Sequence, residues 1–329
     1  MRHALAALAT LPLIGSANAM TSEDITLDLP GGARLAGTLT APDGAPAAAA
    51  VLIPGSGPTD RNGDNPLGVA GSPYRQLAEA LAAEGIAVLR YDKRGMFGSA
   101  GEGFDPADVT VKRYAGDALE WASGLSARFG LPCVHLIGHS EGGLVALAAA
   151  DAMLRSTAPA RAPCGIVLIG APGRPLGTII REQIAALDDA AGTDLAGEAG
   201  RVLDMLERGE RVPAADIPAP LAPLFAEAVQ PFLIDVLAYD PADLLARTGR
   251  LALVVHGTED AQVRRTDADK LEEAGGRLVV VQAMSHVLKR TDGTGRAASL
   301  ATYGDPDASL APGLVEAIAA FLRETASSR

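Results

Sequence analysis

The sequence predicts an α/β protein, a mostly parallel central sheet with helices on both faces and one inserted helical segment. Three observations carry this reading. Short, continuously apolar runs recur along the chain with helical patterns between them, as strands buried on both faces require. That rhythm breaks once, between Ala171 and about Thr248, where helical patterns follow one another and are punctuated by Pro213, Pro218, Pro220 and Pro223. Finally, Gly138-His139-Ser140-Glu141-Gly142 sets a serine between two glycines, where an apolar run meets a helix-forming one.

Composition bounds the possibilities. The chain has 329 residues, 48% of them hydrophobic, enough to bury a large core. Aromatics make up only 4%, so that core must be built from Ala, Leu, Val and Ile. The 40 acidic residues outnumber the 28 basic ones and give a net charge of −12. Such a surface repels phosphate backbones, which argues against a nucleic-acid partner.

The first nineteen residues read as an export signal. Arg2 precedes an apolar stretch from Ala4 to Ile14, and Ala17 and Ala19 form the small-residue pair before a cleavage point. Cleavage after Ala19 would leave a periplasmic or secreted domain spanning 20–329. The apolar stretch is too short for a permanent anchor, and no later run reads as a membrane span.

The elements follow in order. Asp24–Leu29 and Arg34–Pro42 predict a β-hairpin turning at Pro30-Gly31-Gly32-Ala33. Ala47–Gly55 ends in a buried strand. Pro73–Gly85 is helical, with Gly85 as its C-terminal stop. Ile86–Asp92 is the next strand, and a helix within Pro106–Gly130 is stopped by Gly130. A strand then leads to the Ser140 turn, and a helix runs from it to about Leu154. Gly165–Gly170 is apolar on both faces, as a central strand must be. After the helical insertion, Arg250–Gly257 is a strand, Thr266–Gly276 a helix, Arg277–Gln282 a strand, and Leu310–Thr325 a closing amphipathic helix.

Cys133 and Cys164 each stand just before a strand. If the two strands are neighbours, both thiols lie at the same edge of the sheet, and an oxidising compartment invites a bridge. The alternative is a pair of small buried hydrophobes.

Gly138-His139-Ser140-Glu141-Gly142 is G-x-S-x-G at a strand-to-helix junction, the context of a nucleophile elbow. The glycines allow strand and helix to approach closely. The turn pushes Ser140 Oγ outward, and the helix N-terminus lends its amides and positive partial charge to the same spot. A serine hydroxyl needs a base. Of five histidines, His3 lies in the export segment and His135 within a buried strand. His139 sits beside the apex, where its side chain is expected to point away, and His256 reads as a packed strand-end residue. His286, in the loop after the last strand, stands where the order Ser…Asp…His places its base. The acid that orients it follows the strand ending at His256. Asp260 is the choice and Glu259 the neighbour that competes with it. For an oxyanion, one donor is the Glu141 N–H and the other the Ser56 N–H, from the loop Pro54–Asp64. Glu141's own charge suits the first turn of the helix.

Taken together, PGSGPTDRNGD, AVLRYDKRG, GHSEGGL, YDPADLLART, VVHGTEDAQV and MSHVLK resemble the α/β-hydrolase superfamily, specifically its esterase-like serine hydrolases with a helical cap. The resemblance implies the α/β-hydrolase fold, a Ser140–Asp260–His286 triad, a cap over the carboxyl edge of the sheet at about 171–248, and hydrolysis of a small-molecule carboxylic ester. The family often carries R-G-x-G-x-S after its fourth strand. Here Met96 and Phe97 precede that glycine, either to line an acyl pocket or to pack under the cap. No metal or organic cofactor is expected, since neither cysteine has a partner at ligand spacing. Two further readings stand beside the esterase. The same triad serves a serine exopeptidase or amidase, and the fold also serves binding proteins without catalysis.

Overall fold

The computed structural model describes residues 20–29, 32–101, 104, 109–154, 163–191 and 194–327. Residues 1–19, read above as an export signal, and the Pro30-Gly31 part of the first turn lie outside the described residues.

Eight strands form one sheet: β1 (Met20–Asp28), β2 (Arg34–Pro42), β3 (Ala48–Ile53), β4 (Ile86–Tyr91), β5 (His135–His139), β6 (Ile166–Ile169), β7 (Ala252–Glu259) and β8 (Arg277–Ser285). Their order is β1-β2-β4-β3-β5-β6-β7-β8. β1 and β2 form the expected hairpin, in register from Met20↔Pro42 to Asp28↔Arg34. β2 is also antiparallel to β4, and every later pairing is parallel. All the parallel strands from β3 to β8 therefore send their carboxyl ends to one rim.

The helices between the strands end where the sequence directs. α1 (Pro73–Ala83) has Pro73 in its first turn, and Gly85 beyond it takes φ +80°. α2 (Val111–Phe129) is capped by Thr110, whose hydroxyl accepts from Arg113 N, and stops at Gly130 with φ +65°. α3 (Glu141–Leu154) is buried on every side from Gly142 to Asp151, as its uniformly apolar sequence demands. The insertion between β6 and β7 forms α4 (Leu176–Ala191), α5 (Ala196–Glu207), α6 (Ala222–Phe225), α7 (Gln230–Leu237) and α8 (Pro241–Thr248). α8 is capped by Asp240, which accepts from the amides of Ala242 and Asp243, and packs on α3. α9 (Arg265–Glu273), α10 (Gly295–Ala301) and α11 (Leu314–Ala326) complete the chain.

Two apolar clusters flank the sheet. One joins α2, α3 and α9 to the helices of the insertion, α8 among them; the other packs α1 and α11 on the opposite face. Cys133 and Cys164 are disulfide-bonded, with Cα atoms 5.3 Å apart, tying together the segments that lead into β5 and β6. With 31 residues of sequence separation, such a bridge contributes roughly 3–4 kcal/mol by restricting the unfolded chain.

Some boundaries differ from expectation. β7 continues past Gly257 to Glu259 through a register shift against β8. A Cβ at Gly257 would lie 2.1 Å from Met284 O, so only glycine lets the two strands run on so closely. α10 carries no apolar stripe that would reveal it in sequence. The final helix begins at Leu314 rather than Leu310, because Leu310 is held extended in a bridge to Lys289. Among the described residues, no single helix is long and apolar enough to cross a membrane.

Candidate active site

Ser140 stands at the carboxyl rim, between the end of β5 and the start of α3. Its φ is +52°, a left-handed conformation that costs a non-glycine residue energy. The turn is held from both sides: Ser140 N donates to Ile169 O on β6, and Gly143 N donates to Ser140 O, both at 2.9 Å. Glycine is obligatory on either side. A Cβ at Gly138 would lie 2.2 Å from Gly142 O, and one at Gly142 would lie 2.3 Å from Ile53 O.

His286 and Asp260 are brought together from the ends of β8 and β7. His286 Nδ1 is 2.9 Å from Asp260 Oδ2, and both side chains are almost fully buried. Asp260 Oδ1 accepts from the amides of Gln262 and Val263, each at 2.9 Å. Burial pushes the Asp260 carboxyl up, but the His286 ring and these two amides outweigh it and hold it below the usual carboxylate value. Glu259 is directed elsewhere and accepts from Gly295 N at 2.7 Å. Gly170 lies against the pair: a Cβ there would stand 3.0 Å from Asp260 Oδ2 and 3.2 Å from His286 Nδ1. Ser140 and His286 line a common cavity. Among the described residues the Ser140 hydroxyl makes no hydrogen bond.

His139 departs from expectation. Its ring does not turn away from the site but packs on the His286 ring, with centroids 4.7 Å apart. Its Nε2 is 2.8 Å from His286 O, and its Nδ1 is 2.6 Å from Tyr74 Oη. Residues 65 and 147 positions away in sequence supply these partners, so no local pattern announces them. His135 and His256 are packed strand residues, as expected; His135 Nε2 meets Thr325 Oγ1 at 2.7 Å.

The loop after β3 carries Ser56. The Gly55 N–H donates to Tyr74 Oη at 3.1 Å, and Gly55 O accepts from Lys93 Nζ at 2.7 Å. In a trans peptide the carbonyl and the following N–H point in opposite directions. Lys93 therefore aims the Ser56 N–H away from itself, and that amide has no acceptor among the described residues. Lys93 Nζ also lies 3.4 Å from Glu141 Oε1. Glu141 contributes the first amide of α3, which has no intrahelical partner. Its carboxylate sits at the helix N-terminus, as expected, and is also paired with a buried lysine, which no local sequence pattern announces. Among the described residues, no cluster of histidine, cysteine and carboxylate side chains could hold a metal ion.

A sequence model of the alpha/beta hydrolase family matches residues 50–289, a range that takes in Ser56, Ser140, Asp260 and His286. The chain belongs to the alpha/beta hydrolase family. It is 32% identical over 278 residues to Esterase EstD of Thermotoga maritima, a match covering 82% of this chain and 61% of that relative. The chain thus spans about 61% of the length of the curated relative it matches. Among solved structures it is similar in fold to Est1E from Butyrivibrio proteoclasticus, with a TM-score of 0.55 and 15% identity over 93% of this chain and 99% of that one. It is also similar to a thermophilic esterase from Thermogutta terrifontis, with a TM-score of 0.52 and 20% identity over 92% and 99%.

Two cavities of this alpha/beta hydrolase meet at Ser140. One, of about 520 Å³, runs beneath α4 and α7. The other, of about 300 Å³, opens beside Tyr74 and His286. Met96 lines the larger one; Phe97 lines neither and is 46% exposed, with φ +46°.

Proposed function

We propose that this alpha/beta hydrolase is a serine esterase acting on small-molecule carboxylic esters through Ser140, His286 and Asp260. One observation carries the reading: His286, buried and hydrogen-bonded to Asp260, shares a cavity with a serine held on a strained turn. Ser140 Oγ attacks the ester carbonyl while His286 takes its proton. Asp260 fixes the ring and stabilises its cation. The Ser56 and Glu141 amides hold the oxyanion. The alcohol leaves with the proton from His286, and a water activated by the same ring releases the acid. The hydroxyl-to-imidazole contact tightens once substrate is seated, as is common where unliganded sites are looser.

An aminopeptidase would need a free carboxylate to read the substrate ammonium. Glu141 is the one acid among the described residues lining either cavity, and Lys93 engages it. That favours the esterase over the exopeptidase. The inserted helices act as a cap over the rim. We also propose export with cleavage after Ala19, a reading that the Cys133–Cys164 bridge supports.

The test is hydrolysis of p-nitrophenyl acetate and butyrate by the wild type and Ser140→Ala, with a fluorophosphonate probe alongside. The expected loss is on the order of 10⁴-fold or more, together with loss of labelling. A folded Ser140→Ala protein with near-normal turnover rules out the mechanism.

A further inference from the structure

The two cavities differ in chemistry as well as size. The larger is walled mainly by apolar side chains, among them Met96, Leu144, Leu176, Ile180, Phe232 and Val236. Each cation at its edge is already engaged by an acid: Lys93 by Glu141, Arg94 by Asp117, and Arg174 by Asp267 and Glu182. The smaller cavity presents Thr59, Asn65, Gln262 and Tyr303. Gln262 Nε2 donates to Tyr303 Oη at 2.8 Å, which leaves the phenol proton to be donated to a ligand. Ser56, Gly57, Ser140 and Gln262 line both cavities, whereas His286 lines the smaller one only.

Proton transfer then decides which half of an ester goes where. The imidazole that takes the serine proton must hand it to the leaving oxygen. The leaving group therefore lies on the His286 side, and the acyl substituent of the same carbonyl carbon lies on the other side. We propose that the large apolar cavity beneath α4 and α7 holds the acyl chain and that the small polar cavity holds the alcohol. The substrate class is an ester of an uncharged, medium-sized apolar acid with a short, hydroxyl-bearing alcohol. An acid carrying a second carboxylate is disfavoured, because among the described residues the cavity offers it no unengaged cation.

This inference rests on the serine-esterase reading, and its test separates the two. The probes are p-nitrophenyl acetate, butyrate and hexanoate, then glyceryl, ethyl and n-hexyl hexanoate. kcat/KM is expected to rise roughly three- to fourfold per acyl methylene, and the glyceryl ester is expected to exceed the n-hexyl ester. Ile180→Trp narrows the large cavity and should lower the hexanoate-to-acetate ratio at least tenfold, leaving the glyceryl-to-hexyl ratio in place. Met96→Trp, on a loop, gives the same readout without disturbing α4. Tyr303→Phe should lower the glyceryl-to-ethyl ratio several-fold and leave the acyl ratio in place. Ester turnover in which the Trp variants shift the alcohol ratio instead, or in which acyl length has no effect, overturns the inference alone. A folded protein that turns over none of these esters overturns the esterase reading, and this inference with it.

Discussion

His139 Nε2 lies 2.8 Å from the backbone carbonyl of His286, so the residue before the elbow serine holds the loop that carries the proposed base. A carbonyl only accepts, so Nε2 bears the ring proton and Nδ1 accepts from the Tyr74 hydroxyl. Tyr74 Oη in turn accepts from the Gly55 N–H. One continuous chain of buried hydrogen bonds thus joins the loop of Ser56 to the loop of His286. His139→Ala cuts it at both ends. The expected result is a fall in kcat of about 10- to 100-fold with KM moved only a few-fold, since misplacement of reacting groups is costly. Tyr74→Phe keeps the ring but leaves Gly55 N and His139 Nδ1 unpartnered, for a stability loss of about 1–3 kcal/mol. Steady-state kinetics and urea denaturation check both. An unchanged kcat in His139→Ala would remove the positioning role.

The same ring makes stability depend on pH. Burial, and then the neighbouring His286, hold His139 down at about 3, so it stays neutral in the folded protein. The unfolded chain binds a proton there near the ordinary histidine value, about 6.5. Stability from this group is therefore intact above that value and is lost as the pH falls below it, by up to about 1.4 kcal/mol per pH unit. His256, also lowered by burial, acts in the same direction. Asp260, lowered overall, adds its loss only at more acidic pH, within and below the carboxylate range. Between about pH 6 and pH 5, wild-type unfolding free energy should drop by about 1 kcal/mol more than that of His139→Gln. Equal slopes would show that this ring is not held neutral.

Much of the fold is legible because its signals are local. Continuous apolar runs mark β3 to β6, and Gly85 and Gly130 mark helix ends. The spacing Gly138, Ser140, Gly142 exists because strand and helix backbones nearly touch there. Signals that depend on distant partners are not legible. Nothing in YDKRG says that Lys93 reaches Gly55, and nothing in GHS says that His139 reaches the loop of His286. The choice between Glu259 and Asp260 was equally hidden, because both acids follow the same strand. Only in the folded chain do the two part, across a register shift between Gly257 and Glu259: the Glu259 carboxylate meets α10 and that of Asp260 meets His286. α10 is not legible in the sequence, because its helical turns bury Ser299 rather than a row of large apolar side chains.

Lys93 offers a prediction of its own. It grips the carbonyl of the peptide whose N–H belongs to Ser56 and pairs with the Glu141 side chain, so it orients one proposed oxyanion donor and holds the residue that carries the other. Lys93→Met should lower kcat by about 10- to 100-fold with little change in KM, less than outright loss of an oxyanion donor costs. It should also lower the melting temperature, because the Glu141 carboxylate is left without its partner. The double variant Lys93→Met/Glu141→Gln removes that unpaired charge. It should regain thermal stability but not kcat. Recovery of kcat along with stability would mean that Lys93 serves the fold alone.

Asp260 and Glu259 provide the sharpest contrast, being adjacent, both acidic and both placed at the end of β7. Asp260 uses one oxygen for the His286 ring and the other for the amides of Gln262 and Val263. Asp260→Asn keeps the size but can present an N–H to His286 Nδ1, which favours the tautomer with its proton on the wrong nitrogen. The expected fall in kcat is about 10⁴-fold, with the circular dichroism spectrum unchanged. Glu259 accepts from Gly295 N at the start of α10. Glu259→Gln still offers an amide oxygen to that N–H and touches no reacting group, so kcat should stay within about threefold and stability within about 1 kcal/mol. Kinetics of the two variants on p-nitrophenyl butyrate decide the matter. A large kcat loss in Glu259→Gln with a mild one in Asp260→Asn would exchange their roles, and would require the loop after β7 to rearrange before catalysis.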